Sequence, residues 1–335
     1  MNALYALIAV IGIVLLAATA AWLNFFLVVV LVPYAALAFF LLGFSYRVLR
    51  WAWTPVPFRI TTTCGQQKSL PWIKSALLDN PSTGWGAFGR IILEVLLFRS
   101  LFLNNRARLR DGSLALREDQ WLWLGALAFH WSLLTILLRH LRYFLQPVPA
   151  AVLAIERFDG LFRVGVTHMY LSDVVIVCAL AYLIARRLRD PMLHFVSLFS
   201  DYFVLFLLAG VALSGLLLRF VVRVDGLAVK QFALGLAALR PHAPTQFGPI
   251  FMIHLLLVSV LAGYLPASKL MHMAGVFLSP TRNLPNNNRA KRHVNPWNAP
   301  VVHRSYTQWE REFQDKLTAA AIPLEAQNAG KAVTD

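Results

Sequence analysis

Residues 120–145 read QWLWLGALAFHWSLLTILLRHLRYFL, and the reading of this stretch decides the fold. A membrane crossing takes about 20 apolar residues. This run supplies them, yet it carries His130 and His140 in its interior. An ionisable side chain inside a bilayer is expensive and marks a functional site by default. A second apolar run, 248–274, repeats the pattern with His254 and His272. Two histidines per span, near opposite membrane faces, imply that each helix lends one axial ligand to each of two haems stacked across the membrane. The alternative is four unrelated polar core residues. Two imidazoles per iron leave no open coordination position, so such haems pass electrons rather than bind oxygen.

The rest of the chain fits that setting. Its 335 residues are 58% hydrophobic and 14% charged, with a mean hydropathy of +0.60, values of a polytopic membrane protein. Residues 3–46 form one apolar run of about 66 Å at 1.5 Å per residue, enough for two crossings that part near Asn24. Further spans read at 120–145, 170–186, 194–219 and 248–274. The expected fold is all-α and polytopic, with six transmembrane helices. Two lie in 1–46, a cytoplasmic loop fills 47–119, the haem-bearing portion covers 120–275, and a cytoplasmic tail occupies 276–335.

Charge distribution orients the bundle. Lys and Arg number 11 in 47–119, 3 in 186–191 and 8 in 276–335, against 8 in the opposite-side segments between Arg139 and Arg240. The positive-inside rule puts the basic segments in the cytoplasm, and six spans then put both termini there, in an inner membrane. The net charge of +15 is topogenic rather than a sign of nucleic-acid binding. Ala18-Thr19-Ala20 fits a small-x-small cleavage site. No basic region precedes it and a second span follows, so the first helix is read as retained. Two cysteines, Cys64 and Cys178, cannot hold an iron–sulfur cluster, and no Cys-x-x-Cys-His attaches a c-type haem.

Depth pairs the histidines. The first helix runs outward and the last inward, so His130 and His272 lie nearer the cytoplasm, His140 and His254 nearer the outside. His130 and His140 differ by about 15 Å of rise. His254 and His272 are five whole turns apart and share a face over about 27 Å, so tilt or a kink at Pro266 must absorb the mismatch. Arg139, Arg142 and Arg219 cluster at the outer helix ends, where they could pair with propionates or snorkel to the interface. Arg142, His168, Tyr170 and Asp173 converge at the same membrane edge as a candidate quinone site. Asp201, read as two turns into its span, serves either a proton path or the structure.

The soluble segments carry their own patterns. Gly84, Gly86 and Gly89 satisfy G-x-G-x-x-G, but no strand precedes them, so they shape a loop entering a helix. Arg90, Glu94 and Arg99 interrupt the apolar stretch 87–103, which reads as an interfacial helix rather than a seventh span. In the tail, Thr307 and Glu310 have capping-box spacing, and Trp309, Phe313 and Leu317 recur every four residues, giving one short amphipathic helix.

The histidine spacings of ten and eighteen, on the first and last of five core helices, are similar to those of the respiratory nitrate reductase gamma subunit superfamily, di-haem b membrane anchors. Three segments resemble a narrower branch of it, DsrM, the cytochrome b subunits of the Dsr (dissimilatory sulfite reductase-linked) membrane complex. They are Cys64-Gly65-Gln66-Gln67-Lys68-Ser69-Leu70, the run Pro81 to Arg90, and Ser279 to Asn283 continued by Asn295-Pro296-Trp297-Asn298. The resemblance implies two haem b, menaquinone or ubiquinone as substrate, and an electron conduit to a cytoplasmic Fe–S subunit similar to the catalytic subunit of heterodisulfide reductase. Another respiratory cytochrome b, or a proton-linked transporter or scaffold, is the competing reading. The N-terminal span and the long 47–119 loop depart from the nitrate reductase subunit, so its partner interface does not carry over.

Overall fold

A computed structural model describes residues 1–22, 26–54, 68, 70–103, 105–110, 113–160, 163–164, 167–241, 247–279, 281–287 and 303–325. The long apolar runs become helices α1 (Asn2–Trp22) and α2 (Phe26–Ala52). The parting of the two spans at Asn24 falls between them, outside the described residues. Next come α3 (Gly84–Leu97) and α4 (Arg99–Phe102), an antiparallel hairpin of β1 (Asn105–Arg110) and β2 (Ser113–Glu118), and α5 (Gln120–Phe144). A short α6 (Ala150–Asp159) and a two-residue hairpin of β3 (Arg163–Val164) and β4 (Thr167–His168) lead to α7 (Leu171–Arg189), α8 (Pro191–Val196) and α9 (Phe199–Leu216). A π-helical turn (Leu217–Val222) extends α9, and α10 (Gly226–Ala237) and α11 (Pro249–Tyr264) follow. Two 3₁₀ turns, Leu265–Ala267 and Lys269–Met271, separate α11 from α12 (His272–Leu278); α13 (Tyr306–Glu312) and α14 (Gln314–Ala319) close the chain.

Among the described residues, five helices are long and apolar enough to cross a membrane: Asn2–Ala20, Val29–Ala52, Gln120–Phe144, Phe199–Val222 and Pro249–Ala267. The sixth expected span, 170–186, is the 19-residue α7, whose last turn carries Arg186, Arg187 and Arg189 and whose first carries Asp173. Those charges keep it out of the apolar set. The membrane portion is nonetheless helical throughout, and both hairpins lie in connections.

Packing places α7 between α5 and α9, where Phe129, Ile176, Ala179, Leu180 and Leu208 form one core cluster. Ala6 and Val10 of α1, Tyr202, Phe203 and Leu207 of α9 and Leu257 of α11 form a second. The exposure pattern is inverted relative to a water-soluble protein. Phe39 is 70% and Leu42 73% exposed, while Arg139 and Asp173 are each 7% exposed. Polar groups facing inward and large apolar ones facing outward suit a lipid surround. Intramembrane hydroxyls are tied to their own helices, as Ser132 to the Phe129 carbonyl at 3.0 Å and Ser259 to the Leu255 carbonyl at 2.7 Å.

Two expectations about single spans change. The last span is not one helix over 248–274, because Pro266 cannot continue it and the chain passes through 3₁₀ turns instead. The five-turn, common-face relation between His254 and His272 therefore does not hold. The span read from His194 starts at Phe199, since Asp190 caps a separate α8; Asp201 is thus in the first turn of α9.

The chain divides into two units, the second comprising 55–58 and 292–335. In that second unit the capping box forms at Ser305 and Gln308, two residues before the expected Thr307–Glu310 pair. Glu310 is buried and accepts the Glu325 N–H at 2.6 Å, so it is not free to cap. The amphipathic run ends one helix at Phe313 and begins another, with Leu317 and Leu324 buried.

Candidate haem site

Each of the four spanning histidines has its Nδ1 fixed. His130 Nδ1 lies 2.8 Å from the Ala126 carbonyl and His140 Nδ1 2.7 Å from the Ile136 carbonyl, both one turn back along α5. His272 Nδ1 lies 2.9 Å from the Lys269 carbonyl. A carbonyl only accepts, so these three rings carry the proton on Nδ1. His254 Nδ1 meets Ser214 Oγ at 2.9 Å; the serine donates its own proton to the Val211 carbonyl at 3.0 Å and so accepts from the ring. In all four the Nε2 lone pair is left as a ligand. Haem and zinc histidines are commonly set in this way, with the second ring N–H held by an acceptor.

The pairs expected from depth are brought together. His130 and His272 have ring centroids 5.9 Å apart with planes at 84°. Metal–imidazole bonds of about 2.0 Å, with the ring radii added, put two ligand rings about 6 Å apart across one metal. The inner pair therefore fits an iron held between its imidazoles. Phe98 and Phe129 pack edge-on against His130 at 4.9 and 5.0 Å. His140 and His254 lie within electrostatic range of one another. Gly215 borders the latter: a Cβ there would sit 3.3 Å from His254 Cε1, so glycine leaves the ring its room. Among the described residues no group of three or more His, Cys, Asp or Glu could hold a free metal ion, and Cys64 lies outside them.

At the His130–His272 end, the α3–α4 corner leans on α5. Phe98 takes φ 50°, turning the chain so that its ring reaches His130. The indoles of Trp131 and Trp123 donate to the carbonyls of Leu96 and Leu97 at 3.1 and 2.6 Å. Behind this corner Thr83 caps the Gly86 N–H, as the glycine-rich loop suggested, and Arg90 is buried. Its guanidinium gathers the carbonyls of Asp79, Arg282 and Leu284. Asn80 accepts from Asn286 at 2.8 Å. Two of the segments singled out by resemblance, 81–90 and 279–283, are thus one joined piece of structure.

The candidate quinone residues are treated unequally. Tyr170, Asp173 and Arg142 do gather near His140, but each is already engaged, Tyr170 and Arg142 by Glu156 of α6 and Asp173 by Arg139 of α5. Arg139 pairs with Asp159 and, at 3.3 Å, with Asp173, while Ser172 donates to Asp159. Tyr170 donates to Glu156 at 2.8 Å, and Arg142 pairs with the same carboxylate. The Tyr170 ring lies under the guanidinium carbons of both Arg139 and Arg219, at 3.5 and 3.9 Å. Three arginines and three carboxylates balance. The His168 side chain lies outside the described residues. Sequence reading missed Glu156 and Asp159, although two acids three apart in a basic chain were a visible signal, and it missed Ser214-Gly215 beside His254.

Fold and histidines together define a multi-pass membrane bundle that carries four tethered imidazoles. The family model described as the nitrate reductase gamma subunit matches residues 84–286, which include all four histidines, and the chain belongs to that family. It is 42% identical over 297 residues to the Hdr-like menaquinol oxidoreductase cytochrome b-like subunit of Archaeoglobus fulgidus, a match covering 86% of this chain and 89% of that protein. A subunit of the same name from Archaeoglobus profundus is 41% identical over 272 residues, covering 79% and 81%.

Proposed function

We propose that this chain is the di-haem b subunit of a quinol-linked membrane complex, carrying electrons between the quinone pool and a cytoplasmic Fe–S subunit similar to the catalytic subunit of heterodisulfide reductase. The observation that carries the reading is the set of four Nδ1-tethered histidines, one pair of which spans the width of a single metal. His130 with His272, and His140 with His254, would hold two b haems, and bound haem supplies one-electron transfer. The chain's own residues fix the imidazoles, exclude water with Phe98, Phe129 and the packed helices, and neutralise charge at the His140 end. The relatives are named for menaquinol, which favours menaquinol over ubiquinone as the substrate. Its head group would approach the His140 end at the membrane edge, with Arg142, His168, Tyr170 and Asp173 proposed to meet it.

In this reading α7 is the sixth span, its terminal arginines snorkelling to the cytoplasmic interface. Both termini, the 47–119 loop and the 276–335 tail are then cytoplasmic at the inner membrane. The exposed Trp72 in the first unit and, in the second, the exposed Trp309 with Trp297 (outside the described residues) would each serve as an aromatic anchor for a partner. A partner acting in dissimilatory sulfur metabolism, as in the DsrM branch, is the narrower form of the proposal.

Haem analysis of the purified chain should give two non-covalent b haems. His130→Ala and His272→Ala should each remove the same spectral component, and His140→Ala and His254→Ala the other. One haem per chain defeats the di-haem reading. A colourless protein leaves the non-redox transporter or scaffold. Crossed components leave the count and overturn the pairing.

A further inference from the structure

The break in the last span lies against His272 and is held from two sides. Backbone freed from helical bonding at membrane depth has no water to turn to and must be met by protein. From α2, Arg47 donates to the carbonyls of Pro266 at 2.5 Å and Ser268 at 3.4 Å. Within the break, Ser268 Oγ accepts the Leu270 N–H at 3.1 Å and donates to the Leu265 carbonyl at 2.9 Å. From α9, Asp201 Oδ1 accepts Lys269 Nζ at 2.7 Å, while its other oxygen caps the Leu198 N–H at 3.0 Å and faces Arg187 at 3.7 Å. The carbonyl of Lys269 is the acceptor that fixes Nδ1 of His272. Lys269 is therefore held through its side chain by Asp201 and holds His272 through its backbone.

That link matters because the segment between is weak by itself. A three-residue 3₁₀ turn has poor hydrogen-bond geometry and sits next to a proline. The Lys269 side chain is 72% exposed, whereas the Asp201 side chain is 10% exposed and set on a long helix. A carboxylate anchored in this way holds the lysine as a strut.

We propose that Asp201 is a positioning residue for His272: by fixing Lys269 it sets the plane in which the His272 imidazole faces His130. The proposal rests on the reading of His272 as a haem ligand. A proton-path role is not needed, since both carboxylate oxygens are engaged in holding structure.

The test uses the full-length chain in its native complex, with Asp201→Asn, Lys269→Met and the double variant. The readouts are haem content and the EPR signals of the two low-spin haems, whose anisotropy reports the angle between axial imidazole planes. Asparagine keeps the cap on Leu198 and loses the charge that holds Lys269. Both single variants should keep two haems per chain and shift and broaden the signal of the His130–His272 haem alone. The double variant should change it no further, because the two side chains act as one link. Unchanged signals, or equal changes in both haems, overturn the proposal. His272→Ala is the control: if it leaves both haems in place, the ligand assignment itself has failed rather than the role of Asp201.

Discussion

The two histidine pairs are held by different kinds of structure. At the His140–His254 end the histidine-bearing helices are continuous, and side chains add to the fixing that the Ile136 carbonyl gives His140. Ser214 sets one ring, and a buried cluster of Arg139, Asp159, Asp173 and Ser172 joins α5, α6 and α7 beside the other. At the His130–His272 end one helix is broken and the fixing acceptors are backbone carbonyls. Those of Leu96, Leu97, Pro266 and Ser268 are met by Trp131, Trp123 and Arg47 from neighbouring elements, and that of Lys269 by His272. The first arrangement concentrates its energy in a few charged groups. The second spreads it over many modest bonds and merges with the joined segments 79–103 and 279–287.

The largest expected effect comes from breaking the charged cluster. Arg139→Gln leaves Asp159 and Asp173, both under 10% exposed, facing one another without the cation they share. Removing one partner of a buried ion pair costs about 3–5 kcal/mol, because the remaining charge is stranded in a poor solvent. Thermal denaturation followed by haem absorbance should show a large loss of stability, with the His140–His254 haem released first. If stability falls by less than about 1 kcal/mol, the pair behaves as an exposed one and the cluster is not the anchor of this end.

The contrast also marks what was legible in the sequence. The four histidines within apolar runs and five of the six expected spans could be read directly, because an ionisable group inside an apolar run has few innocent explanations. The break after Tyr264 could be suspected from Pro266, but not its form, since satisfying the freed carbonyls depends on Arg47, more than 200 residues away. The occupancy of Tyr170, Arg142 and Asp173 was hidden for the same reason. Tyr170 and Arg142 meet Glu156 on α6, ten residues with neither the length nor the apolar pattern of a span, and Asp173 meets Arg139 of α5. The start of α9 was misjudged because Asp190-Pro191 opens a short helix inside what reads as one continuous apolar stretch.

A middle-sized effect is expected where the broken span meets α2. A Cβ at Gly43 would lie 2.8 Å from Cβ of Pro266 and 3.2 Å from its Cγ. A proline ring in a turn pinned by Arg47 cannot swing aside like a flexible side chain. Gly43→Ala should cost about 1–3 kcal/mol of overpacking strain. It should shift the redox midpoint of the His130–His272 haem and leave the other within error. A shift confined to the His140–His254 haem would mean that strain at the break does not pass to His272.

The smallest effect sharpens the comparison at the other end. Ser214 Oγ accepts from Nδ1 of His254, whereas Nδ1 of each of the other three histidines meets a backbone carbonyl. Ser214→Ala deletes one hydrogen bond and one small polar atom, leaving the α9–α11 contact otherwise intact. A neutral hydrogen bond contributes about 1 kcal/mol net, and on a one-electron couple that is about 40 mV. An acceptor on Nδ1 makes Nε2 a stronger donor to iron and favours the oxidised state, so its loss should raise the midpoint of the His140–His254 haem by about that amount. The His130–His272 haem should not move. Ser214→Thr keeps the hydroxyl and should retain the original potential. A raised midpoint in both variants would assign the effect to packing around Gly215 rather than to the hydrogen bond.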